Sequence, residues 1–466
     1  MRDRTLSIGL KTALAIFTLA ILTSGLFVTE ASAGTLKVLH NFNGTDGSQP
    51  AGVVLDASGN LYGVATLGGI RGFGLAFELT PTASGHWNEK ALIQFNKTTG
   101  MYPNPMVFDS VGNLYGTLKR INPRGTGAVF ELSPTTDGQW DEKILNIMDN
   151  SEGADLPWSV TFDASGNIFS MADSGGKHDG GTIFELSPTT DGNWQETTLE
   201  SFTLKDGAYP AGNVVFDAAG NLYGTTTRGG AFGFGTVFEL SPSPGGTWTY
   251  TVLYSFTGTT DGAFPFGGVI FDAAGNLYGA TELGGDFNAG TVFELSPSPG
   301  GTWTYTVLYS FTGKADGYDP SSSVIFDAAG NLYGTTIEGG AFGDGTVFEL
   351  SPNPDGTWTE TVLYSFQGGL DGSFPSSSTL TFDKAGNLYG EAFGGGNDRC
   401  PGGCGVVFEL SPTGGGSWTE SVPGWFNGTD GWSPWQSLVF DADGNLYGTT
   451  QDGGAYGDGV VFELKP

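Results

Sequence analysis

Short apolar runs alternate with glycine-rich turns along this chain, and the pattern recurs eight times. The Asn of a G-N-L-Y-G string, or of a close variant, lies at residues 60, 113, 167, 221, 276, 331, 387 and 445. Successive copies are therefore 53 to 58 residues apart. A period of about this size is typical of propellers, solenoids and repeat arrays. Eight such copies fill residues 34–466, which leaves no room for a second domain.

One copy, residues 256–311, shows the strands that each repeat predicts. Consecutive apolar residues at 268–272 predict a first strand that is covered on both faces, and residues 276–281 predict a second. A third strand is predicted at 291–295, after a glycine-rich loop. Residues 303–311 alternate aromatic or aliphatic side chains with Thr and Ser. This alternation is typical of an outer strand with one face in water.

Four strands per copy and eight copies predict an all-β fold, an eight-bladed β-propeller of four-stranded blades. The Trp that begins the fourth strand occurs seven times, and the sequence stops just after the eighth third strand. Residues 35–42 align with the fourth-strand residues 249–256. We therefore predict that the N-terminal strand completes the last blade and closes the ring. A β-solenoid is the alternative, but it gives no reason for this complementary truncation.

The repeat unit also carries a family resemblance. The strings V-L-Y-S-F, F-D-x-x-G-N-L-Y-G-T-T and G-T-V-F-E-L-S-P, in this order, resemble the GloVer tandem repeat of exported bacterial proteins, and all eight copies share in it. The resemblance implies an exported propeller-like protein of a family without an established activity. Members often carry a C-terminal sorting anchor, whereas nothing follows Pro466 here. The D-x-x-G-N-L-Y segment is similar, more weakly, to NHL-type and gluconolactonase-like propeller blades, a similarity of fold rather than function.

The first residues have the form of an export signal. Arg2, Arg4 and Lys11 precede an apolar run at 12–28, and Ala31-Ser32-Ala33 provides a small-x-small cleavage site. We predict a signal peptide at 1–33 that is cleaved after Ala33, a single domain at 34–466, and a secreted or periplasmic protein. An uncleaved anchor is the alternative, but the run is shorter than the ~20 residues that span a bilayer.

The charge balance excludes two classes of binding partner. The chain has 49 acidic against 18 basic residues, a formal net charge of -31, which excludes nucleic acid and anionic membranes as partners. We expect a monomer.

Cys400 and Cys404 predict a disulfide that closes a short loop, because exported proteins fold in an oxidising environment where such pairs form disulfides. A zinc site is not expected, because two thiols cannot complete its tetrahedral set of ligands.

Recurring carboxylates are the obvious candidates for catalysis. An Asp ends each first strand and a Glu lies in each third strand. A catalytic pair is needed once, whereas a turn that an Asp side chain stabilises is needed in every blade, so we assign these residues to the fold. We predict no catalytic residue, no metal site and no cofactor. Calcium remains open, because Asp-rich exported loops supply oxygen ligands, although no D-x-D-x-D loop is present.

Aromatic residues mark the candidate binding surface. In a propeller, the loops from fourth to first strand and from second to third strand share one face. Most copies place an aromatic residue beside a Pro in the first of these loops. The candidate ligand-binding residues are Trp158, Tyr209, Phe264, Tyr318, Phe374, Trp432 and Trp435. Those beside Pro recur with the fold and favour a role between blades, whereas Trp158, Trp432 and Trp435 break the pattern and favour ligand binding.

We therefore predict an exported, non-catalytic propeller that binds an extracellular glycan or protein through this loop face. The irregular stretches Lys119-Arg120, Lys177-His178 and Asn397-Asp398-Arg399 are the places where one specific site is expected. The alternative is a hydrolase or lyase that acts on an extracellular polymer or lactone at the central channel. An asymmetric polar cluster in the channel would favour the enzyme, and a symmetric apolar plug would favour the binding protein.

Overall fold

The computed structural model describes residues 34–121, 126–149, 160–375 and 380–466, and within them the chain forms strands and turns without a helix. The predicted signal peptide at 1–33 and the candidate Trp158 lie outside the described residues. The strands form eight antiparallel sheets, arranged as the blades of a ring. The all-β prediction and the eight-bladed β-propeller are thus confirmed.

Each blade has four strand positions, which we name A to D from the centre of the ring outwards. In blades 2, 7 and 8 the A position is split into two short segments. The A strands of blades 1 to 8 are Ser48–Leu55, Met101–Pro103 with Val107–Phe108, Thr161–Phe162, Ala208–Phe216, Val269–Phe271, Ile325–Phe326, Ser373–Pro375 with Thr381–Phe382, and Trp432–Pro434 with Val439–Phe440. The B strands are Leu61–Leu67, Leu114–Ile121, Ile168–Ala172, Leu222–Arg228, Leu277–Thr281, Leu332–Thr336, Leu388–Gly394 and Leu446–Asp452.

The outer two positions follow the same order. The C strands are Leu75–Pro81, Thr126–Pro134, Thr182–Pro188, Thr236–Ser243, Thr291–Ser298, Thr346–Pro352, Val406–Gly414 and Val460–Lys465. The D strands are Trp87–Gln94, Trp140–Ile147, Trp194–Ser201, Thr247–Ser255, Thr302–Ser310, Trp358–Ser365, Ser417–Trp425 and, for blade 8, Thr35–Asn41.

The N-terminal strand closes the ring, as predicted. It pairs antiparallel with the C strand of blade 8, with Leu36 opposite Leu464 and Val38 opposite Phe462. The pairing contains a bulge between Val38 and His40, and the C–D pairing of every other blade has a bulge at the same place. Since bulges twist and bend a strand locally, the shared bulge shows that residues 35–41 form a D strand like the others.

The core of the protein lies between the blades. Eight buried apolar clusters are present among the described residues, and each is shared by two neighbouring blades. The D-strand Trp packs against a B-strand ring of the preceding blade, as in Trp303 and Tyr223, whose ring centroids are 5.8 Å apart. The Gly that follows the B-strand Tyr leaves room for the C-strand Phe. In blade 1, for example, a Cβ at Gly63, which follows Tyr62, would lie 2.5 Å from Phe77 Cζ.

The recurring carboxylates hold the turns and strands of each blade, as their repetition indicated. Asp56 Oδ1 accepts hydrogen bonds from the backbone N of Ser58 and Asn60, at 2.8 and 2.9 Å. Its Oδ2 accepts one from Asn60 Nδ2 at 2.8 Å. Equivalent pairs of bonds to the Asn recur in all eight blades. The C-strand Glu78 accepts a bond from the Tyr62 hydroxyl at 3.1 Å.

The predicted disulfide is confirmed. Cys400 and Cys404 are bonded, with an S–S distance of 2.08 Å, inside the loop between the B and C strands of blade 7. Both residues are buried, and both belong to the apolar cluster between blades 7 and 8. The disulfide thus joins the loop face of the propeller to its core.

Candidate functional site: the loop face and central channel

Exposed apolar side chains are confined almost wholly to one face of the propeller. This face carries the B–C loops and the D–A loops, which bond to each other, as in Tyr209 N to Gly180 O at 2.8 Å. Among the described residues, Val111 is the one large exposed hydrophobic residue in a turn of the opposite face. The others lie in these loops or at the strand ends beside them: Ile70, Ile147, Leu204, Tyr209, Phe232, Phe266, Phe287, Phe342, Leu370, Phe374, Phe393, Trp425, Trp435 and Tyr456.

In the seven blades whose loop Pro lies among the described residues, the residue before it has an unusual backbone. These residues are Gln49, Tyr102, Tyr209, Phe264, Asp319, Phe374 and Ser433, and their φ angles lie between 52 and 63°. Such positive angles are uncommon outside glycine. Each backbone N donates to a carbonyl in the B–C loop of the preceding blade, for example Phe374 N to Asp344 O at 2.9 Å. The fold therefore requires this conformation, but it accepts Gln, Asp or Ser there as well as an aromatic ring.

The candidate aromatics occupy three kinds of position. Tyr209 and Phe374 are each 41% exposed on the loop face. Phe264 is partly covered, with the Phe234 ring centroid at 5.7 Å and the Arg228 guanidinium carbon at 5.0 Å. Tyr318 and Trp432 lie one residue earlier in the loop and pack against the apolar clusters between blades. Trp435 is 48% exposed and lines the central channel.

The A strands surround a cavity of about 480 Å³ at the centre of the ring. Its described lining comes from six blades, from residues at and around the loop Pro within the A strands or beside them, and from the ends of some B strands. The polar lining residues are Gln49, Thr66, Asn104, Lys119, Asn213, Ser321, Ser323, Gln436, Ser437, Thr449 and Gln451, beside the rings of Phe266 and Trp435. No Asp, Glu or His is among the described lining residues. The lining is thus polar and asymmetric, but it holds no acid–base pair in the part of the chain described.

One position near the end of the B strand departs from the repeat. Six residues after the Asn of G-N-L-Y-G the eight copies have Thr66, Lys119, Asp173, Thr227, Glu282, Ile337, Phe393 and Gln451. Thr66, Lys119 and Gln451 line the cavity, and Phe393 packs edge-on against Trp435 with ring centroids 5.6 Å apart. Aligning the eight copies and looking for variation inside an otherwise constant strand would have singled out this position from the sequence, although not which of its residues reach the cavity.

The three irregular stretches differ in their placement. Lys119 and Arg120 belong to the B strand Leu114–Ile121 rather than to a loop, and the B strands of blades 1, 4, 7 and 8 include the same two positions. Lys119 reaches the cavity, whereas Arg120 is exposed and is not part of its lining. Lys177, His178 and Asn397 to Arg399 lie in B–C loops outside the cavity lining.

An acidic group lies near the cavity between blades 5 and 6. Asp319 has a buried Oδ1 without a hydrogen-bond partner in the part of the chain that the structure describes, and it precedes by two residues Ser321, which lines the cavity. Burial, followed by the charge of Glu282, raises the pKa of Asp319 to about 6. A carboxyl group of this kind retains a proton at mildly acidic pH. Among the described residues, no three His, Cys, Asp or Glu side chains are grouped to hold a metal ion.

A sequence model of the Gloeobacter/Verrucomicrobia repeat matches residues 23–155, 136–325 and 299–466. The chain belongs to this repeat family. The membership confirms the resemblance noted from the repeat strings. No curated protein matches the sequence. The Gloeobacter/Verrucomicrobia repeats, the disulfide and the lack of any helix long and apolar enough to cross a bilayer among the described residues are compatible with an exported protein.

This Gloeobacter/Verrucomicrobia repeat protein is similar to several solved structures at low identity. The periplasmic gluconolactonase PpgL of Pseudomonas aeruginosa has a TM-score of 0.41 and 15% identity, over 68% of this chain and 84% of that one. An oxidoreductase (glucose dehydrogenase) of Thermus thermophilus has a TM-score of 0.37 and 16% identity, over 68% and 98%. The extracellular domain of a hybrid two-component system of B. thetaiotaomicron has 0.36 and 10%, over 90% and 51%. Similarities this low carry no inference about chemistry.

Proposed function

We propose that this protein is an exported, non-catalytic propeller that binds an extracellular glycan on its loop face, at the mouth of the central channel. The observation that carries the proposal is the cavity lining, which combines an exposed indole, Trp435, with uncharged amides and hydroxyls. Ligand pockets of about 300–1,000 Å³ typically pair aromatic surface with a few polar groups. The cavity, at about 480 Å³, falls in this range.

The polar lining suits sugar hydroxyls in particular. Asn and Gln side chains both donate and accept hydrogen bonds, as do the hydroxyls of Ser and Thr. A sugar hydroxyl also donates and accepts hydrogen bonds, so a side-chain amide can pair with it whether the hydroxyl acts as donor or as acceptor. The flat face of a pyranose presents C–H groups that pack on an indole ring, while its edge reaches the amides. Trp435 and Gln436, between the two A segments of blade 8, provide both kinds of contact.

The rings outside the cavity extend this surface. Tyr209 and Phe374 are half-exposed at positions where the fold accepts small polar residues, so their rings are available for contacts with a ligand. A polymer longer than the cavity would pass over them as it leaves the channel. The candidates of second rank are Trp158, Phe264, Tyr318 and Trp432. Tyr318 and Trp432 rank lower because their side chains are packed between blades.

The glycan-binding proposal is tested with the purified protein on a panel of polysaccharides. We expect retention on at least one polymer without release of reducing sugar, and equal retention with calcium or with a chelator. Trp435→Ala should abolish retention, while Trp425→Ala, which removes a 53% exposed indole at the end of a D strand, should not. Equal retention by the two variants would contradict the proposal. Retention by no polymer would favour a protein partner instead.

A second candidate function is the hydrolase or lyase. It is favoured by the polar asymmetry of the channel and by Asp319, a carboxyl with a raised pKa beside Glu282 near the cavity. Such a pair is suited to acid catalysis on a polymer or a lactone. Release of reducing sugar or lactone opening that is fastest below about pH 6 and lost in Asp319→Asn would establish this function in place of simple binding.

Export through a signal peptide belongs to the same proposal. The arginines, the apolar run and Ala31-Ser32-Ala33 support cleavage after Ala33. Expression with the full N-terminus should yield a secreted or periplasmic protein whose mature chain begins at Gly34. Intact-mass measurement of the exported protein checks this prediction, and a mass that retains residues 1–33 would contradict it.

A further inference from the structure

The cavity contains one charged side chain among its described lining residues, Lys119. It lies near the end of the B strand Leu114–Ile121 of blade 2 and is partly buried. The equivalent residues of blades 1 and 8, Thr66 and Gln451, also line the cavity and are uncharged. The lysine is therefore a feature of one blade and not of the repeat.

Lys119 differs in its partners from three other lysines of the protein, Lys37, Lys90 and Lys384. Lys90 and Lys384 donate to the carbonyls of Gly138 and Ala442, and Lys37 lies 4.0 Å from a carboxylate oxygen of Glu463. Lys119 has no hydrogen-bond or ion-pair partner among the described residues. In a chain with a net charge of -31, an ammonium group without a carboxylate beside it is left to solvent or to a ligand.

A ligand that fills the cavity removes water from this ammonium group. Burying a charge without an opposite charge or a full set of hydrogen bonds is unfavourable. An anionic group compensates for the lost water through a short, charge-assisted hydrogen bond. The negative charge of the whole protein opposes an anion only weakly inside the channel, because charges farther away than about 8 Å are screened at physiological ionic strength.

We infer that the glycan is acidic and that Lys119 binds its anionic group, as the carboxylate of a uronic acid residue. The inference rests on the proposed glycan-binding function and specifies its ligand class. The amides and Trp435 would then bind the sugar ring, and Lys119 would select acidic sugars over neutral ones. In this arrangement the amides and Trp435 provide affinity for the sugar ring, and Lys119 provides the preference for a negatively charged sugar.

The experiment compares polymers that differ only in charge. Retention and dissociation constants are measured for polygalacturonate and its methyl ester, and for dextran sulfate and dextran. We expect polygalacturonate to bind more tightly than its ester. Lys119→Met should weaken the binding of polygalacturonate by about tenfold, as the loss of a charge-assisted hydrogen bond predicts, and leave the ester unchanged. Arg120→Gln is the matched control, since it removes a neighbouring charge outside the cavity lining.

The outcomes distinguish the inference from the function on which it rests. Binding of neutral polymers alone would overturn the acidic ligand and keep the glycan function. Equal losses in Lys119→Met and Arg120→Gln would show a general charge effect and overturn the role of Lys119. Preference for dextran sulfate would assign a sulfate rather than a carboxylate to the ligand, overturning the uronic acid. Binding of no polymer would overturn both proposals.

A second measurement locates the contact without a variant. Reductive methylation followed by mass spectrometry reports the access of each lysine. Polygalacturonate should protect Lys119 from methylation while Lys90, on the D strand of blade 1, stays as reactive as before. Protection of neither residue, under conditions where the polymer binds, would place the ligand away from the channel and overturn the inference.

Discussion

The two faces of the propeller are built by the same repeat, yet they differ in composition and in regularity. The turns of one face are almost alike in every blade, with the Asp just after the A strand bonded to the Asn just before the B strand. The loops of the other face vary and expose aromatic rings. Identity between blades thus marks residues that the fold needs, and variation marks residues on which the fold places few demands.

The largest expected difference is between two phenylalanines of blade 5. Phe293 is fully buried in the cluster between blades 4 and 5, whereas Phe287 is 59% exposed on the loop face. Phe293→Ala should lower the free energy of unfolding by about 3–5 kcal/mol, because it leaves a cavity. Phe287→Ala should change it by less than about 0.5 kcal/mol. Urea unfolding measures both, and similar losses would remove the distinction between the faces.

The turn Asp is expected to contribute less than the core ring. Asp272→Ala removes the acceptor for backbone N–H groups of Ala274 and Asn276 and for the Asn276 amide. We expect a loss of about 1–3 kcal/mol, as for unpaired polar groups in a partly buried turn. The exposed loop residue Asp286 of the same blade is the control, and Asp286→Ala should stay within about 0.5 kcal/mol of the parent. A neutral Asp272→Ala would contradict the structural assignment of the repeated Asp.

A pH effect is expected at the blade junctions. Burial, and then the charge of Asp316, raises the pKa of Glu360 to about 7. Because the folded state holds this proton more tightly than the unfolded chain, stability should fall as pH rises from about 4.5 to about 7. Glu360→Gln should stabilise the protein at pH 8 by about 1 kcal/mol, a value reduced from the full shift by solvent screening of the partly exposed carboxyl.

The matched measurement for this effect is the same variant at pH 4.5, where we expect no gain because the parent carboxyl is already protonated. Glu89, Glu142 and Glu420 occupy the same D-strand position in blades 1, 2 and 7, and their pKa values are also raised to about 7. A gain that is equal at both pH values would show that packing, not ionisation, causes it.

The smallest effect is expected at the residue before the loop Pro. Tyr209→Ser places there a residue that blade 8 already has as Ser433, at nearly the same φ. The free energy of unfolding should change by less than about 0.5 kcal/mol. Glycan binding should weaken if the exposed ring contacts the polymer. A large loss of stability would show that the ring is part of the fold and would remove Tyr209 from the candidate surface.

The blades, their number and the closure of the ring could be predicted from the amino-acid sequence. These features depend on local patterns, such as apolar alternation, turn residues and the complementary ends of the chain, and each is written eight times or at both termini. The disulfide and the turn role of Asp56 and its equivalents were predictable for the same reason, since the bonded residues lie within four positions of each other.

Which residues meet in the channel becomes visible in the folded chain alone. Gln49, Lys119 and Trp435 come from three blades and are separated by up to hundreds of residues, so no spacing in the chain relates them. Nor could the sequence separate Trp432, packed between blades, from Trp435, exposed in the cavity, although they are three residues apart. Closing the ring brings the ends of eight similar strands to one axis, and it is there that the differences between the copies combine into a single site.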